Sequence, residues 1–187
     1  PEALARGLAL NYHRQGGDGI YVFNWFPHVH NNSEGHGPYL TSLLKQIGHP
    51  LTAIVGEELM FVAERGSQDF SYPNNWLHAR LPATLEGGQS LELTVQVGAV
   101  RTELAHYSAI TLQIEAEGIQ EGDLLAVLFN GKLVPVVPTT NDPAVLASPI
   151  SHKMLRHGHN QVSLAFQPAD GAARTVSVHA VEIHTRK

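Results

Sequence analysis

The feature that most constrains this chain is an alternation of apolar and polar residues through most of the sequence after Pro50. Leu59, Phe61 and Ala63 fall on one parity. Leu91, Leu93, Val95 and Val97 do the same, with Glu92, Thr94 and Gln96 between them. Ile110, Leu112 and Ile114 alternate with Thr111, Gln113 and Glu115, and Val162, Leu164 and Phe166 repeat the pattern. Successive side chains on a strand point to opposite faces, so these segments read as strands with one face buried and one solvated. "LLAVLFNGKLVPVV" reads as a hairpin, because Asn130-Gly131 supplies the positive φ angles of a tight two-residue turn. The final apolar segment, "TVSVHAVEIHT", changes phase near His179-Ala180, as a β-bulge would require. Eight or so short strands therefore predict an all-β antiparallel sandwich over residues 51–187, with residues 138–150 and their three prolines as a long loop.

The first 50 residues follow a different grammar. Leu4, Leu8, Ala9 and Tyr12 recur at helical spacing, which predicts a helix over residues 2–15, stopped by Gly16-Gly17. Ile20 to Phe26 is too continuously apolar for a half-buried strand, so residues 18–26 read as a strand buried on both faces, as in a parallel sheet. A polar loop over 27–37 leads to a second helix, Pro38 to Ile47, ended by Gly48. Helix, buried strand, loop and helix form a slice of an α/β fold. One such strand cannot close a sheet, so residues 1–50 are expected either to pack on the sandwich or to belong to a sheet completed elsewhere. The opening "PEALARGLAL" reads as cut from something longer.

Composition narrows the function classes. A net charge of -5 gives no reason to expect nucleic acid or an anionic membrane as partner. No apolar run approaches the ~20 residues a membrane helix needs. The absence of cysteine excludes disulfides, thiolate metal sites and cysteine nucleophiles, but leaves the compartment open, a secreted or periplasmic one being compatible. No nucleophile elbow, phosphate-binding glycine loop or HExxH zinc motif is present.

"GGDGIYVFNWF", preceded by an amphipathic helix and followed by "GPYLTSLLKQIGHP", resembles the last β/α unit of a TIM barrel in bacterial glycoside hydrolase-like proteins, which carry a jelly-roll sandwich at the C-terminus. "LFNGKLV" followed by "LRHGHNQVSLAF" is similar to galactose-binding-like, carbohydrate-associated sandwiches. The resemblance implies that residues 1–50 end a TIM-barrel domain and that 51–187 form an accessory β-sandwich. It further implies hydrolysis of glycosidic bonds by two carboxylates in sequence not present here, so that no catalytic residue is assigned in this chain. Partners would be carbohydrate and the upstream barrel, or another chain completing it. No cofactor and no metal is expected. The alternative is a non-catalytic carbohydrate-binding or interaction module whose first 50 residues pack as a helical cap.

On the barrel reading, Asn24 and Trp25 close a strand on the catalytic side. Trp offers a flat apolar face to a sugar ring, and Asn a donor and an acceptor to its hydroxyls. His28, His30 and Glu34 follow in the loop as further substrate contacts. His28, His30 and His36 also admit a metal-site reading and a solvated-loop reading. His152, His157 and His159 form a second cluster around "RHGHN", read as a turn with Gly158 or Asn160 in an unusual backbone conformation. Tyr72, Trp76 and His78 are candidates for an aromatic platform or for a structural anchor. Asn31-Asn32-Ser33 matches the N-glycosylation triplet, which matters only in a eukaryotic secretory context.

Overall fold

The computed structural model of the chain describes residues 2–20, 36–63, 80–169 and 171–187. Two antiparallel sheets face each other. Strands β1 (Glu58–Val62), β2 (Ala83–Glu86), β4 (Ala109–Glu117), β7 (Val137–Pro138), β8 (Val145–Pro149) and β10 (Thr175–Arg186) form one, in the order β1-β10-β4-β8-β7 with β2 also pairing β10. Strands β3 (Ser90–Val97), β5 (Leu124–Phe129), β6 (Lys132–Val134) and β9 (Gly158–Gln167) form the other, in the order β3-β9-β5-β6. The inward parity of each strand fills one core that includes Phe61, Leu112, Ile114, Phe129, Leu164, Phe166 and Ile183. The alternation read from the sequence thus describes the sandwich strand by strand.

The local signals hold at particular residues. Asn130 and Gly131 adopt φ of 51° and 80° between β5 and β6. The pairing of β10 with β4 shifts register between Val178 and Ala180, which lets Val178 and Val181, three residues apart, both face the core. Gly158, at φ 90°, opens β9. Two expectations are corrected. Residues 138–150 are not one long loop, because β8 lies within them and pairs β4 from Thr111↔Pro149 to Glu115↔Val145. Ser148 takes an inward position in β8, which breaks the apolar alternation and hides the strand. The sandwich alternation also begins later than Pro50. Pro50–Ile54 is a short helix, α3 in chain order, with the His49 side chain accepting from the Leu51 N–H at 3.1 Å.

At the N-terminus, α1 (Glu2–Arg14) and α2 (His36–Ile47) match the predicted helices closely. Asp18 to Ile20 lie in no strand, and the remainder of the expected strand, 21–26, is outside the described residues. Ile20 instead packs against a small cluster of Ala9, Leu43 and Ile47 between α1 and α2. Helix α1 lies along the seam between β1 and β3, each the edge strand of its sheet. Arg6, 6% exposed, donates from Nε and Nη2 to the Glu58 carbonyl of β1 at 3.1 and 2.6 Å. Its Nη1 reaches Gln46 of α2 at 2.8 Å. Asn11 donates to the Gln96 carbonyl of β3 at 2.9 Å and accepts from the Gly98 N–H at 2.5 Å. Edge strands leave unpaired backbone groups, and α1 satisfies several of them with buried side chains. Gly7 permits the approach: a Cβ there would sit 2.0 Å from the Met60 carbonyl oxygen.

Candidate functional site

The solvent face of the β3–β9 pair carries three cross-strand rows of polar residues. Register places Glu92 opposite Ser163, Thr94 opposite Gln161, and Gln96 opposite His159. The inward residues between them, Leu93, Val95, Val162 and Leu164, are buried in the core, so this polar face is held on a rigid support. Glu92 Oε2 accepts from Gln161 Nε2 at 2.6 Å and from Ser163 Oγ at 2.7 Å. Both bonds fall on one carboxylate oxygen, and Oε1 keeps its acceptor capacity. Arg80 donates to the Glu92 carbonyl at 2.7 Å. Gln96 Oε1 is buried and has no hydrogen-bond partner among the described residues.

Glu92, Thr94, Gln96, His159 and Gln161, together with Arg80 and Arg156, line an open groove of about 720 Å³. Its far wall is Val62 and Ala63, where Ala63 bridges to Val95 and ties the two sheets together. Carboxylate, guanidinium, amide, imidazole and hydroxyl groups are all present. Such planar, forked groups are suited to pairs of neighbouring hydroxyls, each of which both donates and accepts. Glu92 is the sole carboxylate among the described residues lining the groove.

A pair of amides, one of them buried, fixes the backbone beside the groove at Arg156. Asn160, fully buried, accepts from the Arg156 N–H at 2.8 Å and from Asn130 Nδ2 at 2.9 Å. Its own Nδ2 donates to the carbonyls of Arg156 and Gly158 at 2.8 and 3.1 Å. Asn130 in turn donates to the Met154 carbonyl at 2.9 Å and accepts from the Gln161 N–H at 3.0 Å. The Asn-Gly hairpin and the "RHGHN" turn, noted separately in the sequence, are therefore two halves of one network that sets the backbone of Arg156.

The residues expected from the sequence to touch substrate, Asn24, Trp25, His28, His30 and Glu34, lie outside the described residues, as do Tyr72, Trp76, His78 and the Asn31-Asn32-Ser33 triplet. Of the second histidine cluster, His152 begins a 3-10 turn, His157 precedes β9, and His159 lines the groove. No group of three or more His, Asp or Glu side chains is placed to hold a metal among the described residues. Sequence reasoning noted Glu92, Thr94 and Gln96 only as the polar half of an alternation. That polar half was the available signal for the groove.

No protein-family model and no curated protein matches the chain. Among solved structures, it is similar to a beta-porphyranase of glycoside hydrolase family 86 from the human gut bacterium Bacteroides plebeius, with 14% identity over 70% of this chain and 20% of that one, at a TM-score of 0.44. It is similar to BuGH86, solved in complex with neoagarooctaose, with 19% identity over 68% of this chain and 19% of that one, at a TM-score of 0.41. A family 35 carbohydrate binding module from an environmental isolate matches at 18% identity over 54% of this chain and 72% of that one, at a TM-score of 0.30. The chain thus spans about a fifth of the length of the first two.

Proposed function

We propose that the sandwich is a carbohydrate-binding module, and that it serves a glycoside hydrolase-like protein whose catalytic carboxylates lie outside this chain. The observation that carries the binding role is the groove on β3 and β9. Three polar rows stand in register on a rigid sheet, and one Glu92 oxygen has no partner among the described residues. Sugar hydroxyls are the ligand class for which such a mixed donor and acceptor surface is complementary. The groove is suited to binding rather than hydrolysis. Glycosidic cleavage needs two carboxyl groups about 5 to 10 Å apart across the scissile bond, and among the described residues this lining offers Glu92 alone. The link to a hydrolase rests on the sequence likeness of residues 1–50 to a final barrel unit. On that reading Asn24, Trp25, His28, His30 and Glu34 contact substrate in the completed barrel.

The test is affinity electrophoresis of the chain in gels containing a panel of neutral and acidic polysaccharides, with an aryl-glycoside assay alongside. Retardation by at least one polysaccharide, weakened about tenfold by Gln161→Ala and without turnover, is the expected result. Retardation by none, or turnover that Glu92→Gln abolishes, would defeat the reading.

A further inference from the structure

A second cavity, of about 210 Å³, adjoins the groove at Arg156, which lines both. Its charged lining is Arg101, Lys132, Lys153 and Arg156, from three separate segments of the chain. Those four are a third of the 12 lysines and arginines in a protein of net charge -5. No Asp or Glu is among the described residues that line it. Phe129 and Met154 supply its apolar wall.

Four cations gathered without a carboxylate repel one another, and nothing in the packing of the sandwich requires them to converge. Two arginines and two lysines bordering a space of this size offer charge and donors suited to a single tetrahedral or planar oxyanion. The cavity also has a fixed frame. Asn130, at the Asn-Gly turn, lines it, and the buried Asn160 holds the Arg156 backbone through both its N–H and its carbonyl.

We propose that this cavity binds an oxyanion substituent (sulfate, phosphate or carboxylate) of the same glycan whose hydroxyls occupy the groove. The ligand is then an acidic polysaccharide, with Arg156 bridging the neutral and the charged subsites. The assignment of the oxyanion to a glycan rests on the carbohydrate reading above. A nucleic acid fits the surface less well: a phosphate tract would meet a molecule of net negative charge, with one compact basic cavity.

The experiment measures binding of the whole chain to agarose, κ-carrageenan and polygalacturonate, to inorganic sulfate and phosphate, and to a single-stranded DNA oligomer, at low and high salt. Lys132→Gln combined with Lys153→Gln is the variant, since both side chains are exposed and the fold should persist, as circular dichroism would check. The expected result is that a charged polysaccharide binds about tenfold more tightly than the neutral one, with the advantage lost in the double variant and in high salt. Its identity, sulfated or carboxylated, names the substituent. Equal binding of neutral and charged polysaccharides, or an unaffected double variant, would overturn this inference and leave the carbohydrate reading standing. Inorganic sulfate or phosphate bound by the cavity with no polysaccharide retained would keep the oxyanion site and defeat its assignment to a glycan. DNA bound as tightly as the best polysaccharide would overturn the acidic-glycan assignment.

Discussion

Strand β3 meets two polar environments that differ in one respect. Along its edge, Asn11 of α1 engages the Gln96 carbonyl and the Gly98 N–H, and the nearby Arg6 distributes its guanidinium over Glu58, Gln46 and Glu2. On its solvent face, Glu92 uses only one of its two oxygens among the described residues. A buried polar group with a complete set of partners holds the fold, because leaving it unmatched costs about 1–3 kcal/mol. A polar group with capacity left over, on a face that water and solutes reach, is available to a ligand. On the proposed reading the seam serves stability and the groove recognition, and β3 carries both.

The sharpest way to break the seam is Gly7→Ala. Alanine is the better helix former by about 1 kcal/mol, yet its Cβ would sit 2.0 Å from the Met60 carbonyl oxygen. Backbone cannot yield there without moving α1 off β1, so the overlap should outweigh the propensity, with a net loss on the order of 3 kcal/mol by chemical denaturation. A stability equal to or above the parent's would show that α1 is not seated on β1. Asn160→Ala comes next. It removes an amide that makes four hydrogen bonds and strands the Arg156 N–H, and should cost about 2 kcal/mol. Because it releases the Arg156 backbone, it should also weaken polysaccharide retention, which Gly7→Ala in its folded fraction should not.

The two regions were unequally legible in the sequence, for physical reasons. Strand alternation reports which face is buried, so β3, β4 and β9 could be read one at a time. The phase change in β10 and the Asn-Gly turn are likewise local. Which polar residues stand side by side is not local. Glu92 meets Ser163 only through the register of two strands far apart in the chain, and the basic cavity collects side chains from three segments. Strand β8 escaped because Ser148 occupies a buried position where a hydrophobic residue was expected. The sealing role of α1 was one of two alternatives, and neither Arg6 nor Asn11 announces itself in a helix read by its apolar stripe.

A smaller effect should appear where the seam meets the end of the chain. Tyr107 donates from its hydroxyl to the Ile54 carbonyl at 2.9 Å, beneath Lys187 at 5.4 Å from the ring. Burial pushes its phenol up from the usual 10.0 to about 12, with Arg6 acting in the opposite direction. The neutral phenol is therefore the form that the fold favours. Its contribution is complete below pH 10 and is lost as pH rises toward 12, since the unfolded chain ionises first. Tyr107→Phe should cost about 1 kcal/mol at neutral pH through the missing hydrogen bond, and its denaturation midpoint should fall less steeply between those pH values. Parallel curves for the two proteins would remove Tyr107 from the account.

The smallest effect on stability should come from the groove, and that smallness is what separates it from the seam. Gln161 is exposed, and its side chain serves one carboxylate oxygen that Ser163 also reaches. Removing the amide in Gln161→Ala leaves Glu92 with the serine hydroxyl and with water, so no buried group is orphaned and the fold should change by less than about 0.5 kcal/mol. Recognition is another matter. The amide stands in the middle row, opposite Thr94, and it orients the carboxylate that the ligand would share. A bound hydroxyl would lose both a direct contact and a preorganised acceptor, worth about tenfold in affinity. The paired measurement is therefore a denaturation curve that overlays the parent's and an affinity gel that does not. A variant that unfolds early would mean the groove's polar rows are structural after all, like Asn11 and Arg6. One that folds and binds unchanged would mean the ligand lies elsewhere on the sandwich.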